Sequence, residues 1–193
     1  KKITIVGAGN VGSATAQRIA EKGLADVVLV DKEEGISKGK ALDILESAPL
    51  IGFDCSIIGT KDYSETEGSH LIVIAAGLAR RPGMSREDLL AENARIVSGI
   101  VKEVKKASPE AVMIVVTNPV DQMTYLASEV SGFPRYRVMG MGGILDSARF
   151  RTFVAMELKV SVKDVDAFVL GGHGDTMVPL PRYCTISGIP LTS

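Results

Sequence analysis

Tryptophan is absent from the 193-residue sequence, and only four tyrosines and five phenylalanines supply aromatic rings. A surface that stacks on nucleobases needs such rings in number, so the scarcity argues against a nucleic-acid partner. Charge argues the same way. With 22 basic and 23 acidic residues the formal net charge is −1, which sets up no field to gather nucleic acid or anionic lipid. Cysteine is equally sparse: Cys55 and Cys184 lie far apart and form no ligand spacing. That excludes a disulfide framework and a structural zinc site, and reads as two free thiols in a reducing compartment. The longest apolar runs are strand-length, too short to span a bilayer. Lys1-Lys2 and the apolar residues 3–6 carry a trace of a secretory signal, but the stretch breaks at 7–10 and no cleavage site follows. The expectation is a cytoplasmic protein with neither nucleic acid nor membrane as partner. An initiator Met and a closing element are also missing, so the sequence looks trimmed at both ends.

What is present is a regular alternation. Hydrophobic residues make up 46% of the chain, enough for one good core or one domain plus part of another. Apolar β-branched runs at 3–6, 27–30, 55–58, 71–74, 112–116 and 138–141 predict six strands. Between them, helical periodicity runs from Val11 to near Gly23, from 35 to 48, through the stripe Leu89, Leu90, Ile96, Val97, Ile100, Val101 and Val104, and over 120–130. A further helix is expected over 144–158. Strands this continuously apolar belong in a parallel sheet covered on both faces. From Val165 onward the pattern turns to short strands with Gly and Pro. The prediction is an α/β protein: a doubly wound parallel sheet of Rossmann type over 1–143, then the start of a second α+β substrate domain over 144–193, apparently truncated.

The first strand runs into Gly7-Ala8-Gly9-Asn10-Val11-Gly12, a helix follows, and Asp31 closes the second strand 19 positions after Gly12. A bare G-x-G-x-x-G is weak, but strand, turn, helix and acid in this order mark dinucleotide binding. Gly7 permits the tight turn, Gly9 lets a pyrophosphate approach the backbone, and Gly12 lets the helix pack close to the strand. The helix N-terminus offers N–H groups and a positive dipole end to the phosphates. Asp31 would accept from ribose hydroxyls and repel a 2′-phosphate, favouring NAD over NADP; its bland alternative is a helix cap or turn residue.

Three further features lie where the carboxyl edge of such a sheet should be. Arg80-Arg81-Pro82-Gly83-Met84-Ser85-Arg86 is either a solvated cationic loop or a lid that closes guanidinium groups over an anionic substrate. Asp146 and Arg149, three apart on a helix, are either a surface ion pair or a division of labour, Arg149 forking a carboxylate while Asp146 orients a histidine. Asn118-Pro119 is a turn signal whose amide could donate to a substrate oxygen. Last comes Gly171-Gly172-His173-Gly174-Asp175, one of two histidines set among small residues. It is a surface turn or a proton-exchange site.

Taken in order, GAGNVG, the acid at Asp31, AGLARRPGMSREDLL, TNPVD, LDSARF and GGHGD resemble the lactate/malate dehydrogenase family, most closely its malate dehydrogenases of the lactate-dehydrogenase-like type. The resemblance covers residues 3–190. It implies reversible hydride transfer between NAD(H) and malate or oxaloacetate. His173 matches the proton-exchange histidine, Asp146 its carboxylate partner, and Arg86 the lid arginine that polarises the reacting carbonyl. Arg149 matches the arginine that pairs with the substrate's C1 carboxylate, and Asn118 the asparagine that contacts substrate and the nicotinamide side. Gly7, Ala8, Gly9, Asn10, Val11, Gly12, Asp31, Asn93 and Asn118 match the cofactor contacts. Arg80 falls at the specificity position, where an arginine accompanies malate dehydrogenases and a neutral amide lactate dehydrogenases. No metal is implied. The expected partners are a small dicarboxylic acid and further copies of the chain, as a homodimer or homotetramer. The alternatives are a dehydrogenase of lactate or another 2-hydroxy acid, and a non-catalytic NAD-binding module.

Overall fold

The computed structural model describes residues 1–79 and 81–191. Two compact units divide the chain, Lys1–Gly140 and Met141–Ser193.

The first unit contains strands β1 (Lys2–Val6), β2 (Asp26–Val30), β3 (Ile57–Thr60), β4 (Leu71–Ile74), β5 (Val112–Val115) and β6 (Val138–Gly140). Helices α1 (Asn10–Glu21), α2 (Glu34–Ile51), α3 (Arg86–Ala107) and α4 (Val120–Ser131) connect them, with a short 3-10 turn at Tyr63–Thr66. All pairings are parallel, in the order β3-β2-β1-β4-β5-β6. The order reverses between β1 and β4, where the chain leaves the sheet in opposite directions and a crevice opens beyond the strand ends.

Side chains alternate across the sheet with period two, and each set meets its own helices. Ile5, Val27, Leu29 and Val73 pack with Ala16 and Ile19 of α1 and Ala41 and Ile44 of α2. Val6, Val28, Val30, Ile72 and Ile74 pack with Val97, Ile100 and Val104 of α3 and Met123 of α4. The doubly wound sheet is therefore a single layer between two apolar seams.

Most elements fall within a residue or two of the predicted bounds; one strand is shifted as a whole and one helix runs on. The third strand was expected at 55–58 and runs Ile57–Thr60. Asp26 Oδ1 takes the Ser56 N–H at 2.9 Å, which delays the ladder, and the buried Phe53 fills the space before it. Gly59 lies within the strand, opposite Leu29, and a Cβ there would strike the Ser37 carbonyl of α2, so only glycine lets the helix pack this close. Helix α2 was expected to stop at 48 but continues through Pro49 to Ile51. Proline forfeits one hydrogen bond in the last turn, and the Gly52 N–H still closes the helix on the Ala48 carbonyl at 2.8 Å.

The second unit contains α5 (Gly143–Leu158) and five two-residue strands, β7 (Val165–Asp166), β8 (Val169–Leu170), β9 (Val178–Pro179), β10 (Thr185–Ile186) and β11 (Ile189–Pro190). β10 pairs antiparallel with β7 and β11, and β8 with β9. Ala155, Val165, Ala167 and Cys184 form its small core, with Phe150, Val154, Ile186 and Leu191 packed against them.

Candidate functional site

The glycine loop leaves β1 through Gly7, whose φ of 106° lies in the left-handed region and whose N–H donates to the Val30 carbonyl at 2.7 Å. A Cβ on Gly7 would sit 2.6 Å from the Ala76 nitrogen, and one on Gly12 would strike the Gly7 carbonyl oxygen. The first turn of α1 thus rests directly on the loop, closer than any other residue type allows. Around Gly9, apart from its own and its chain neighbours' atoms, nothing lies within 4 Å of where a Cβ would be. Gly9 is also the N-cap, no side chain caps this end of α1, and Asn10 and Val11 are exposed. An uncapped helix start beside an open backbone suits an anionic diphosphate.

Asp31 stands at the end of β2, half-buried. Its Oδ2 accepts the Ala8 N–H at 2.7 Å and its Oδ1 the Glu33 N–H at 3.1 Å. The carboxylate therefore braces the glycine loop as well as presenting charge beside it. Each oxygen has a second lone pair for a hydroxyl donor.

Asn93, 1% exposed on α3, is committed to the main chain. Its Oδ1 accepts the Leu78 N–H at 2.8 Å, and Nδ2 donates to the Leu78 carbonyl at 3.2 Å and the Asn118 carbonyl at 2.7 Å. One amide joins the loop after β4 to the loop after β5. Thr117 Oγ1 adds a second tie, donating to the Ala76 carbonyl at 2.7 Å. Asn118 itself is exposed and precedes a cis peptide bond to Pro119.

Arg86 is the first, exposed residue of α3. The turn before it is fixed by a capping box: Ser85 Oγ accepts the Asp88 N–H at 3.0 Å, and Asp88 Oδ2 accepts the Ser85 N–H at 3.0 Å. Hydrogen bonds from the Ser85 hydroxyl and then its N–H hold the Asp88 carboxyl below the usual carboxylate range. Arg80 lies outside the described residues.

In the second unit, Asp146 occupies the first turn of α5 with 5% of its side chain exposed. Its Oδ2 stands 2.6 Å from His173 Nδ1, and the imidazole is 18% exposed. A buried carboxylate this close to one ring nitrogen favours the tautomer with its proton on Nδ1. The turn carrying the ring is closed by the Gly174 N–H on the Gly172 carbonyl at 2.9 Å. Arg149, 61% exposed, reaches Asp146 Oδ1 only at 3.9 Å, so its guanidinium is not consumed by the dyad. Sequence reading passed over Gly142, which lies against the root of the imidazole; its only signal was the glycine pair ahead of LDSARF. It also passed over the bracing contacts of Asp31 and Asn93, which end on backbone groups.

Among the described residues no helix is long and apolar enough to cross a membrane. Residues 1–140 match the family model described as the lactate/malate dehydrogenase NAD binding domain, and residues 144–193 that of the alpha/beta C-terminal domain. The malate dehydrogenase of Thermomicrobium roseum is 57% identical over 192 residues, covering 100% of this chain and 62% of that protein. Among solved structures, malate dehydrogenase from Salinibacter ruber superposes with a TM-score of 0.93 at 53% identity, covering 99% of this chain and 61% of that one. Lactate dehydrogenase from Cryptosporidium parvum, complexed with lactic acid and nicotinamide adenine dinucleotide, gives 0.94 at 45% identity over 100% of this chain and 61% of that one. The chain thus spans about 62% of the length of the curated relatives it matches. With its parallel sheet, glycine loop and His–Asp dyad, the chain belongs to the lactate/malate dehydrogenase family.

Proposed function

We propose that the chain carries the NAD-binding and proton-exchange parts of a malate dehydrogenase, interconverting malate and oxaloacetate. The observation that carries this reading is the 2.6 Å approach of His173 Nδ1 to the buried Asp146 carboxylate. With Nδ1–H donated to Asp146, protonated His173 gives its Nε2 proton to the carbonyl oxygen of the keto acid, and neutral His173 takes it back from the alcohol. Asp146 holds the ring in place and offsets the charge of the imidazolium. When bound, the nicotinamide dinucleotide would supply or take up the hydride at the carbon that bears this oxygen. The glycine loop and the start of α1 fit its diphosphate, and Asp31 its ribose hydroxyls.

Arg86 stabilises the negative charge that grows on the reacting oxygen, a role worth about 2.7–4 kcal/mol for comparable donors. Arg149 forks the C1 carboxylate, and Asn118 donates its amide to the substrate. Arg80 neutralises the second carboxylate of oxaloacetate; pyruvate would leave that guanidinium unpaired. The two free cysteines support a cytoplasmic location. The exposed Leu42, Leu50 and Ile51 of α2 support a homodimer or homotetramer.

A second reading, lactate dehydrogenase, draws on the likeness to the Cryptosporidium parvum enzyme. A third, NAD binding without turnover, draws on the 62% coverage. Initial rates with NADH separate them. Faster reduction of oxaloacetate than of pyruvate is expected, with Arg80→Gln moving the preference toward pyruvate and His173→Asn lowering kcat about 100-fold or more while NADH still binds. Preference for pyruvate favours the second reading, and NADH binding with no turnover of either acid favours the third.

A further inference from the structure

The first turn of α5 is a cradle for the imidazole, and its floor is an absent side chain. Gly142 is the N-cap of α5, and its carbonyl accepts the Asp146 N–H at 3.1 Å. Gly142 and Asp146 therefore sit one above the other on one helix face, four residues apart. Along that face lies His173. A Cβ built on Gly142 would come within 3.0 Å of His173 Cβ, 3.1 Å of Cγ and 3.3 Å of Nδ1. The same Nδ1 is held from the next turn by Asp146 Oδ2. With Asp146 holding Nδ1 and the helix start lying against the root of the same ring, a methyl group on Gly142 would press on an imidazole already tied at that edge. Gly142 has φ −140° and ψ −72°, with φ outside the positive range reserved for glycine. Its small size answers to the ring beside it.

We propose that Gly142 is a positioning residue: by leaving out a methyl group it seats His173 squarely on Asp146, and so sets the tautomer and aim of the proton-exchange nitrogen. This rests on the proton-exchange reading of the dyad. Its consequence is specific to the ring. An added Cβ has to push the imidazole root outward by a few tenths of an ångström, which lengthens or bends the Nδ1–H···Oδ2 bond. Hydrogen bonds weaken steeply with such misalignment, and a displaced catalytic group is costly far beyond the change in stability.

The test uses Gly142→Ala and Gly142→Ser in the whole chain. Nitrogen-15 and proton NMR of the imidazole reads the dyad directly. The native protein should show a single Nδ1–H tautomer with its proton far downfield, and both variants should lose or shift that signal. In kinetics, kcat should fall about tenfold to a hundredfold in both, with the NADH dissociation constant unchanged and the pH profile of kcat/KM displaced. Serine restores a good cap but keeps the Cβ, so the two causes separate. If the serine variant recovers the native signal and rate, the loss belonged to capping and the proposal fails; an unchanged downfield proton in the alanine variant also ends it. The NMR signature is independent of turnover. A native chain that binds NADH yet turns over neither acid would defeat the functional reading while the tautomer result still decides the role of Gly142.

Discussion

Asp31 shows how much one carboxylate can be asked to do. Its two oxygens hold the N–H groups of Ala8 and Glu33, so the charge that would repel a 2′-phosphate also shapes the loop that would receive the diphosphate. Replacing it with serine should therefore have two separable effects. Loss of the brace weakens NADH and NADPH alike, by about tenfold or more for hydrogen bonds to a charged group. Loss of the charge narrows the gap between them. Fluorescence titration with both dinucleotides measures each: the common weakening reports the brace and the altered ratio reports the charge. An unchanged ratio in Asp31→Ser would remove Asp31 from cofactor selection.

At the scale of elements, the helix starts matter most, because α1 and α3 begin at residues of the proposed site and α5 carries Asp146 in its first turn. Helix α3 is the one pinned by its own side chains. Ser85→Ala removes the hydroxyl that accepts the Asp88 N–H and should cost about 1 kcal/mol in urea denaturation, with Asp88 returning toward an ordinary carboxylate pKa. Equal stability of the variant and the native protein would mean that the first turn frays in solution. This scale also separates what could be read in advance from what could not. The glycine loop was legible because Gly7 and Gly12 answer to local backbone geometry, and the α3 stripe because burial follows a 3.6-residue period. The dyad was legible only through its motifs, since nothing local announces that His173 and Asp146 meet across 27 residues. Gly142, the brace on Ala8 and the Asn93 tie were not legible. Each depends on which atoms a fold brings within 3 Å, and many of those are backbone atoms common to every residue. The end of α2 was misplaced for a related reason: Pro49 breaks a helix by local rules, but Ala48 packs on the core and holds the last turn in place.

For the molecule as a whole, stability should fall at high pH; burial raises the thiols of Cys55 and Cys184, and the largest single contribution comes from one tyrosine. Tyr63 is half-buried against the core under α3, and burial, then the charges of Glu103 and Asp31, push its pKa up to about 12. An exposed tyrosine in the unfolded chain titrates near 10. Between these values the unfolded chain releases a proton that the folded one keeps, so this contribution is intact below about pH 10 and disappears as pH rises toward 12. Tyr63→Phe should flatten the alkaline limb of a stability–pH curve. Ultraviolet titration should show one tyrosine ionising late in the native protein, and four tyrosines ionising together would contradict the burial.

The sheet also imposes an order on how the chain can come into being. β1 lies at its centre, yet its neighbour β4 is 68 residues further on, with Ile3 opposite Leu71. A ribosome adding roughly 5–20 residues per second needs several seconds to make that stretch. Throughout that interval the emerging β1 has one edge with no partner. The newborn protein must wait with its innermost strand half-dressed, and chaperones have their opening there.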